Sequence, residues 1–151
     1  MADDELRWLS PSEDAAWTGL VSLVLLLPGQ LESVLQTRAG LSLFEYLTLS
    51  HVSEAPGRRL RMGELAYLAS GSPSRLSNVV KRLEQRGLLS RFPDPEDGRR
   101  TVAELTPDGW ARVQEAAPWH LRSVREHVLD HLDDDDVTAL ATIAAKLGAH
   151  L

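Results

Sequence analysis

The sequence predicts a mainly α-helical chain with one small β-hairpin, and three observations lead there. Apolar side chains recur three and four residues apart along most of the 151 residues, the spacing that commits one face of a helix to a core. Ser10-Pro11, Ser72-Pro73 and Thr106-Pro107 each pair a capping hydroxyl with a first-turn proline, a recurrent way to start a helix. Only residues 88–92 and 101–105 read as strands, and the loop between them holds two prolines and Asp97-Gly98, the composition of a long hairpin loop. The length suits one domain, residues 1–151. With 43% hydrophobic and 25% charged residues the balance is globular. The absence of cysteine excludes disulfides, thiolate metal sites and thiol redox sensing.

The first helix is expected over residues 10–40. Ser10 caps it, Glu13 completes a capping box, and Trp17, Leu20, Val24, Leu27, Leu31 and Leu35 follow at helical spacing. Pro28-Gly29 should kink or interrupt it, because proline has no N–H for the preceding turn. Gly40 fits the stop. Ser42 and Glu45 form a second capping box for a helix through Leu47, His51 and Val52, closed by Pro56-Gly57. A short helix over 62–69 carries Leu65, Ala66 and Leu68, and Ser70-Gly71 makes a turn. The next helix opens at Ser72-Pro73 and buries Leu76, Val79, Val80 and Leu83. Its opposite face centres on Ser74, Asn78, Lys81 and Gln85, flanked by Arg75, Ser77 and Arg82.

After the hairpin, Thr106-Pro107-Asp108 starts a fifth helix. Trp110, Val113, Ala117, Leu121, Val124, Val128 and Leu132 form a heptad-like seam within it, which Pro118 should bend. Asp133 to Asp136 end this helix and begin the last, where Val137, Leu140, Ala144, Leu147 and Leu151 keep the same alternation. The acidic start Met-Ala-Asp-Asp-Glu is not the basic front of a signal peptide. The longest apolar run, 20–27, falls well short of the roughly 20 residues a membrane span needs. The expectation is a cytoplasmic protein with no membrane partner.

A short helix, a glycine turn and a second helix with a polar outer face make a helix-turn-helix, to which the hairpin adds a wing. The fold expected is a winged helix-turn-helix core, residues 42–105, flanked by terminal helices over 10–40 and 106–151. Ser, Asn, Lys and Gln are donors and acceptors suited to base edges in the major groove. A helix with an ordinary solvated face would more often alternate Glu with Lys, and this face has no acid before Glu84. The chain carries −6 overall, yet between Arg58 and Arg100 ten basic residues stand against five acidic ones. A basic middle between acidic flanks suits a chain that meets a polyanion only there.

The middle of the chain closely resembles the MarR family of bacterial transcription regulators. The resemblance is carried by Arg58-Arg59-Leu60-Arg61-Met62-Gly63-Glu64-Leu65-Ala66 and by the stretch from Ser74 to Arg91. Most telling is Asp94-Pro95-Glu96-Asp97-Gly98-Arg99-Arg100, followed by Leu105-Thr106-Pro107-Asp108-Gly109. It implies a homodimer formed by the terminal helices and a pseudo-palindromic double-stranded DNA operator. It also implies a repressor relieved by a small aromatic or phenolic anion in a crevice between the dimerisation helices and the winged core. Carried over residue by residue, it makes Pro73, Ser74, Ser77 and Asn78 base contacts, with Arg75, Lys81, Arg82 and Arg100 on the phosphate-facing side. Arg99 becomes the wing-tip arginine of the minor groove, at a tight turn that Gly98 allows, and Asp97 the residue that orients it. Trp17, Tyr46, His51 and Trp110 border the implied crevice, although aromatic residues there more often belong to the core.

His120, His127 and His131 lie along one edge of the predicted fifth helix. The i, i+4 spacing of His127 and His131 can bind metal, but no third ligand accompanies it, so no metal and no cofactor is expected. No metalloprotease, phosphate-loop or nucleophile-elbow motif occurs, and no catalytic residue is assigned. The alternatives are a winged helix used for protein contacts and a small-molecule binding protein that does not bind DNA. The first would leave the helix face less basic and need no exposed wing arginines.

Overall fold

The computed structural model describes residues 6–150, so Leu151 lies outside the described residues. The elements are α1 (Pro11–Ala39), α2 (Leu43–Glu54), β1 (Arg59–Arg61), α3 (Met62–Leu68), α4 (Pro73–Gln85), β2 (Leu89–Pro93), β3 (Thr101–Leu105), α5 (Pro107–His127) and α6 (Asp134–Gly148). Single 3-10 turns, Pro56–Arg58 and Leu129–His131, precede β1 and α6. Mainly helical with a small sheet, the fold has the class the sequence predicts.

Helix starts follow the capping chemistry. Ser10, Ser42 and Asp133 close capping boxes with Glu13, Glu45 and Asp136, and Ser72 and Thr106 cap α4 and α5. At the C-terminus of α1, Gly40 turns the chain with φ 62°, a left-handed conformation that favours glycine. The wing strands pair antiparallel from Leu89 opposite Leu105 to Pro93 opposite Thr101. β1 adds a third strand on the far edge of β3, with Leu60 opposite Ala103. Its three residues are too few to show an alternating pattern in sequence.

The core sits in the winged half. Leu35, Leu41, Leu49, Val52, Leu65, Leu76, Val80 and Leu83 are fully enclosed there. The four apolar positions assigned to the inner face of α4 are all buried. The flanking helices differ from this half. Along α1, Leu23, Val24, Leu25 and Leu26 are exposed, and no residue of α6 is buried. By length and composition α1 could cross a bilayer, with mean hydropathy 1.5 over its most apolar 18 residues. A count of uninterrupted apolar residues does not register this.

Two expectations are corrected. α1 is not interrupted at Pro28, and α5 likewise continues through Pro118. Both prolines are exposed, so the carbonyl each leaves unpaired can turn to solvent. α5 stops at His127, and Leu132 falls beyond the 3-10 turn, outside the helical seam. His131 therefore lies off the helix, and the i, i+4 geometry with His127 is lost. Their Nδ1 and Nε2 atoms face the carbonyls of Ser123 and Glu126, and no cluster of metal-ligating side chains forms among the described residues.

The Thr106-Pro107-Asp108-Gly109 stretch joins wing to α5 through one hydroxyl. Thr106 Oγ1 donates to the Gly87 carbonyl at 2.6 Å and accepts from the Gly109 N–H at 2.9 Å. A Cβ on Gly109 would overlap the Leu88 carbonyl oxygen and press on Leu105. Gly109→Ala is expected to destabilise the fold by about 1–3 kcal/mol, the usual cost of overpacking. Urea denaturation at equilibrium measures it.

Candidate nucleic-acid interface

α4 turns a polar face outward. Pro73, Ser74, Arg75, Ser77, Asn78, Lys81 and Arg82 are all exposed, opposite the buried Leu76, Val79, Val80 and Leu83. The N-terminus of α4 is held twice. Ser72 Oγ accepts from the Arg75 N–H at 3.2 Å, and the Arg75 guanidinium lies 4.2 Å from the centroid of the Phe44 ring. Phe44 in turn fills the space beside Gly71, where a Cβ would meet its ring.

The wing tip is organised by carboxylates. Asp94, buried at the base of the loop, accepts from the Glu96 N–H at 2.9 Å and from Arg61 Nε at 2.5 Å. These donors hold its carboxyl below the ordinary range, the backbone N–H first and Arg61 next. Asp94 likewise pushes the Arg61 guanidinium further up. Arg61 also reaches Glu96 at 3.1 Å, so β1 braces the wing. Asp97 Oδ1 accepts from the Arg99 backbone N–H at 3.2 Å.

The Asp97 carboxylate faces both arginines of the tip, 3.2 Å from Arg100 and 4.0 Å from Arg99. The Arg99 side chain is 97% exposed. One expectation at the tip changes. Gly98 has no left-handed backbone, so the turn does not depend on glycine there.

The rear of α4 is bound to the flanking helices by a charged cluster. Glu45, buried at the start of α2, lies 3.5 Å from Arg82 and 3.4 Å from Arg86. Arg86 donates to the Gly40 carbonyl at 2.9 Å, and Arg112 of α5 donates to the Ala39 carbonyl at 2.6 Å. The last carbonyls of α1 thus receive guanidiniums from both the end of α4 and α5. Arg82, assigned to DNA from sequence, turns partly inward to Glu45. Sequence reasoning gave Glu45 only a capping role and missed Arg86 and Arg112. Their partners lie 41 and 73 residues away or more, beyond any local pattern.

The four crevice candidates sit on three helices, Trp17 on α1, Tyr46 and His51 on α2 and Trp110 on α5. Tyr46 is buried, its ring centroid 4.6 Å from that of His120. Burial raises the Tyr46 hydroxyl above its ordinary pKa and lowers His120 below its own. His120 Nδ1 has no hydrogen-bond partner among the described residues. Trp110 packs under Arg58 at 3.9 Å, His51 is half-buried on α2, and Trp17 stands exposed on α1. A cavity of about 770 Å³ lies between α3 and the wing, beside Leu60, Met62, Tyr67 and Thr101.

The sequence profile of the MarR family matches residues 39–100. The HTH-type transcriptional repressor Rv2887 of Mycobacterium tuberculosis is 32% identical over 110 residues, 73% of this chain and 77% of that protein. Among solved structures, Sco3205 of Streptomyces coelicolor, a MarR family transcriptional regulator in complex with DNA, has a TM-score of 0.93 and 37% identity over 99% of this chain and 93% of that one. AbsC, a MarR family regulator from the same organism, has a TM-score of 0.90 and 36% identity over 96% of this chain and 97% of that one.

Glu45→Gln keeps the amide oxygen for the Ser42 cap but removes the charge that faces Arg82 and Arg86. With both partners partly solvated, the expected loss is about 1–2 kcal/mol, below that of a fully enclosed pair. Chemical denaturation reads this loss, and an unchanged sedimentation coefficient shows that it is local.

Proposed function

Because the chain belongs to the MarR family of transcription regulators, we propose that it binds a pseudo-palindromic DNA operator as a homodimer and represses transcription until a small aromatic or anionic effector releases it. One observation carries the DNA reading. α4 turns its serines, Asn78 and Lys81 outward, while its apolar face is consumed by the core. Hydroxyl and amide side chains read base edges, and the cations around them hold phosphates. On this reading residues 42–105 meet DNA, with Pro73, Ser74, Ser77 and Asn78 in the major groove. Arg75, Lys81 and Arg100 lie on the backbone side, and Arg99 reaches the minor groove. The DNA-bound state of Sco3205 supports the assignment. The chemistry is binding and release, and no catalytic residue is involved.

The dimer reading rests on apolar surface without an internal partner. Leu23 to Leu26 of α1, Leu121 of α5 and Val137, Leu140, Ile143 and Leu147 of α6 are all exposed. Surface of this extent marks an interface, and a second copy offers the same stripes by symmetry. A cytoplasmic dimer with α1 inside the interface accounts for the apolar length of that helix without a membrane. Removing residues 134–151 is expected to give monomer or aggregate. Sedimentation showing a well-folded dimer of the shortened chain would contradict this assembly.

Arg99→Ala is expected to weaken operator binding by about tenfold, because a guanidinium in a narrow minor groove gains from the focused negative potential there. Fold and dimer should be unchanged, since the side chain packs against nothing. Ser77→Ala and Asn78→Ala should lower the ratio of operator to random-DNA affinity with little change in salt slope, because phosphate contacts dominate that slope. Titrations of both DNAs across a salt series separate the roles. Undiminished operator affinity in Arg99→Ala would remove the wing from the interface.

A further inference from the structure

Four arginines form no ion pair among the described residues: Arg38, Arg58, Arg75 and Arg122. Each lies over an aromatic ring instead, Arg38 and Arg122 over Trp119, Arg58 over Trp110 and Arg75 over Phe44. Arg75 alone of the four belongs to α4.

Arg75 and Arg82 stand two turns apart on one flank of α4, and both turn to the first turn of α2. Two neighbouring residues receive them there, with opposite effect. Glu45 faces Arg82 at 3.5 Å and Arg86 at 3.4 Å, and its carboxylate offsets their charge. The Phe44 ring, 4.2 Å from the Arg75 guanidinium carbon, attracts that cation through its π face and has no net charge to offset it. α2 thus ties one arginine into the fold and leaves the other cationic. A guanidinium over a ring presents its face to the stack, and its N–H donors project from the edge. Among the described residues no protein acceptor takes those donors, and only the backbone N–H of Arg75 is bonded, to Ser72 Oγ.

The ring is itself wedged in place. Phe44 is buried, and Gly71, in the turn between α3 and α4, approaches so closely that a Cβ there would stand 2.5 Å from the ring Cζ. The three atoms nearest such a Cβ all belong to this ring, and the Gly71 backbone is not left-handed. Space for Phe44, rather than backbone freedom, is what glycine provides at this position. One ring therefore packs both on the turn that leads into α4 and on the arginine of its first turn. It fixes where the guanidinium stands without neutralising it.

We propose that Phe44 is a positioning residue for DNA binding: wedged against Gly71, it holds the Arg75 guanidinium preformed for a phosphate of the duplex backbone. This inference rests on the DNA-binding reading of α4. Ser74, Asn78 and Lys81 occupy the middle of its outer face, and Arg75 stands to one side of them, where a backbone rather than a base edge is met. Two oxygens of a phosphate accept two edge N–H groups side by side. An arginine free on a helix surface gives up rotamer freedom when it makes such a contact. Arg75 has given it up in the fold, so the contact forms at a lower entropic cost.

A phosphate contact is independent of sequence, so the test titrates the full-length protein with a mixed-sequence duplex of about 30 base pairs across a salt series. Arg75→Met should weaken binding and reduce the salt slope by about one. Phe44→Leu keeps an apolar side chain but removes the ring. It should weaken binding by about three- to tenfold with the slope unchanged, because the charge of Arg75 remains. Phe44→Tyr, which keeps the ring, should bind as the wild type does. In the Arg75→Met background, Phe44→Leu should cost no further affinity. Gly71→Ala, which displaces the ring, should repeat this pattern, and it replaces Phe44→Leu in the comparison if that variant unfolds before it can be titrated. A loss from Phe44→Leu or Gly71→Ala that is as large without Arg75 as with it is structural and overturns the proposal. So does wild-type affinity in both variants, or a salt slope that Arg75→Met leaves unchanged. Wild-type protein that fails to bind the duplex at about 50 mM salt counts against the DNA reading and takes this inference with it. Binding without coupling between Phe44 and Arg75 counts against this inference alone.

Discussion

The corner between α1 and α2 is the constraint on which the rest of the molecule depends. A helix leaves its last four carbonyls without internal partners. In α1 the carbonyls of Ala39 and Gly40 are answered by guanidiniums from two other elements, Arg112 of α5 and Arg86 beyond α4. The left-handed turn at Gly40 then delivers the chain to Ser42 and to the buried Glu45, which faces Arg82 and Arg86. Four helices therefore meet through one set of charges. An apolar contact at this corner would tolerate sliding, whereas directional hydrogen bonds to carbonyls fix how α4 is pitched relative to the flanking helices. Breaking any one member would strand a partly buried charge or carbonyl, so the arrangement is held as a unit.

The two halves of the chain solve the burial problem differently. The winged half encloses its own leucines and valines and has little apolar surface left over beyond Tyr67 and Leu68. The outer part of α1 and all of α6 bury almost nothing within the chain. Helical propensity alone gives marginal stability to an isolated helix of fifteen residues or fewer, and α6 has fifteen. The capping box at Asp133 and the acids in its first turn help, but they contribute far less than an amphipathic face finding its partner. The same apolar surface makes α1 resemble a membrane span by composition. Hydropathy averaged along a helix does not distinguish lipid from a second protein surface.

Local chemistry was legible in the sequence and distant chemistry was not. Ser10, Ser42, Ser72, Thr106 and Asp133 announce their helices because a cap and its partner lie three residues apart. The inner and outer faces of α4 follow from periodicity alone. β1 escaped because three residues, two of them arginines, carry no alternating signal. Pro28 does not interrupt α1, and Pro118 stays inside α5, because on an exposed face solvent can replace the lost hydrogen bond. The Asp97-Gly98 pair suggested a glycine-dependent turn, whereas the tip is closed by hydrogen bonds among Asp94, Asp97 and Arg100. Trp119, which gathers two arginines from different helices, had no feature in sequence to single it out.

Net charge is a poor guide to this molecule because it adds charges that cancel locally to charges that do not. At physiological salt, interactions between exposed groups fade beyond roughly 8–10 Å, so a polyanion at the wing is governed by the charges near it. In the basic segment Glu84 is paired with Arg91, Asp94 and Glu96 with Arg61, and Asp97 with Arg100. These acids are spent on holding the wing in shape. What they leave uncancelled on the outer face of α4 is Lys81 and Arg75 stacked on Phe44, while Arg99, 4.0 Å from an Asp97 that lies nearer Arg100, stays 97% exposed at the wing. The acids of α6 fall on a different element and add to the total without neutralising this set. The chain is thus acidic as a whole and cationic along one surface, and the same carboxylates that lower its net charge keep that cationic surface in a fixed geometry.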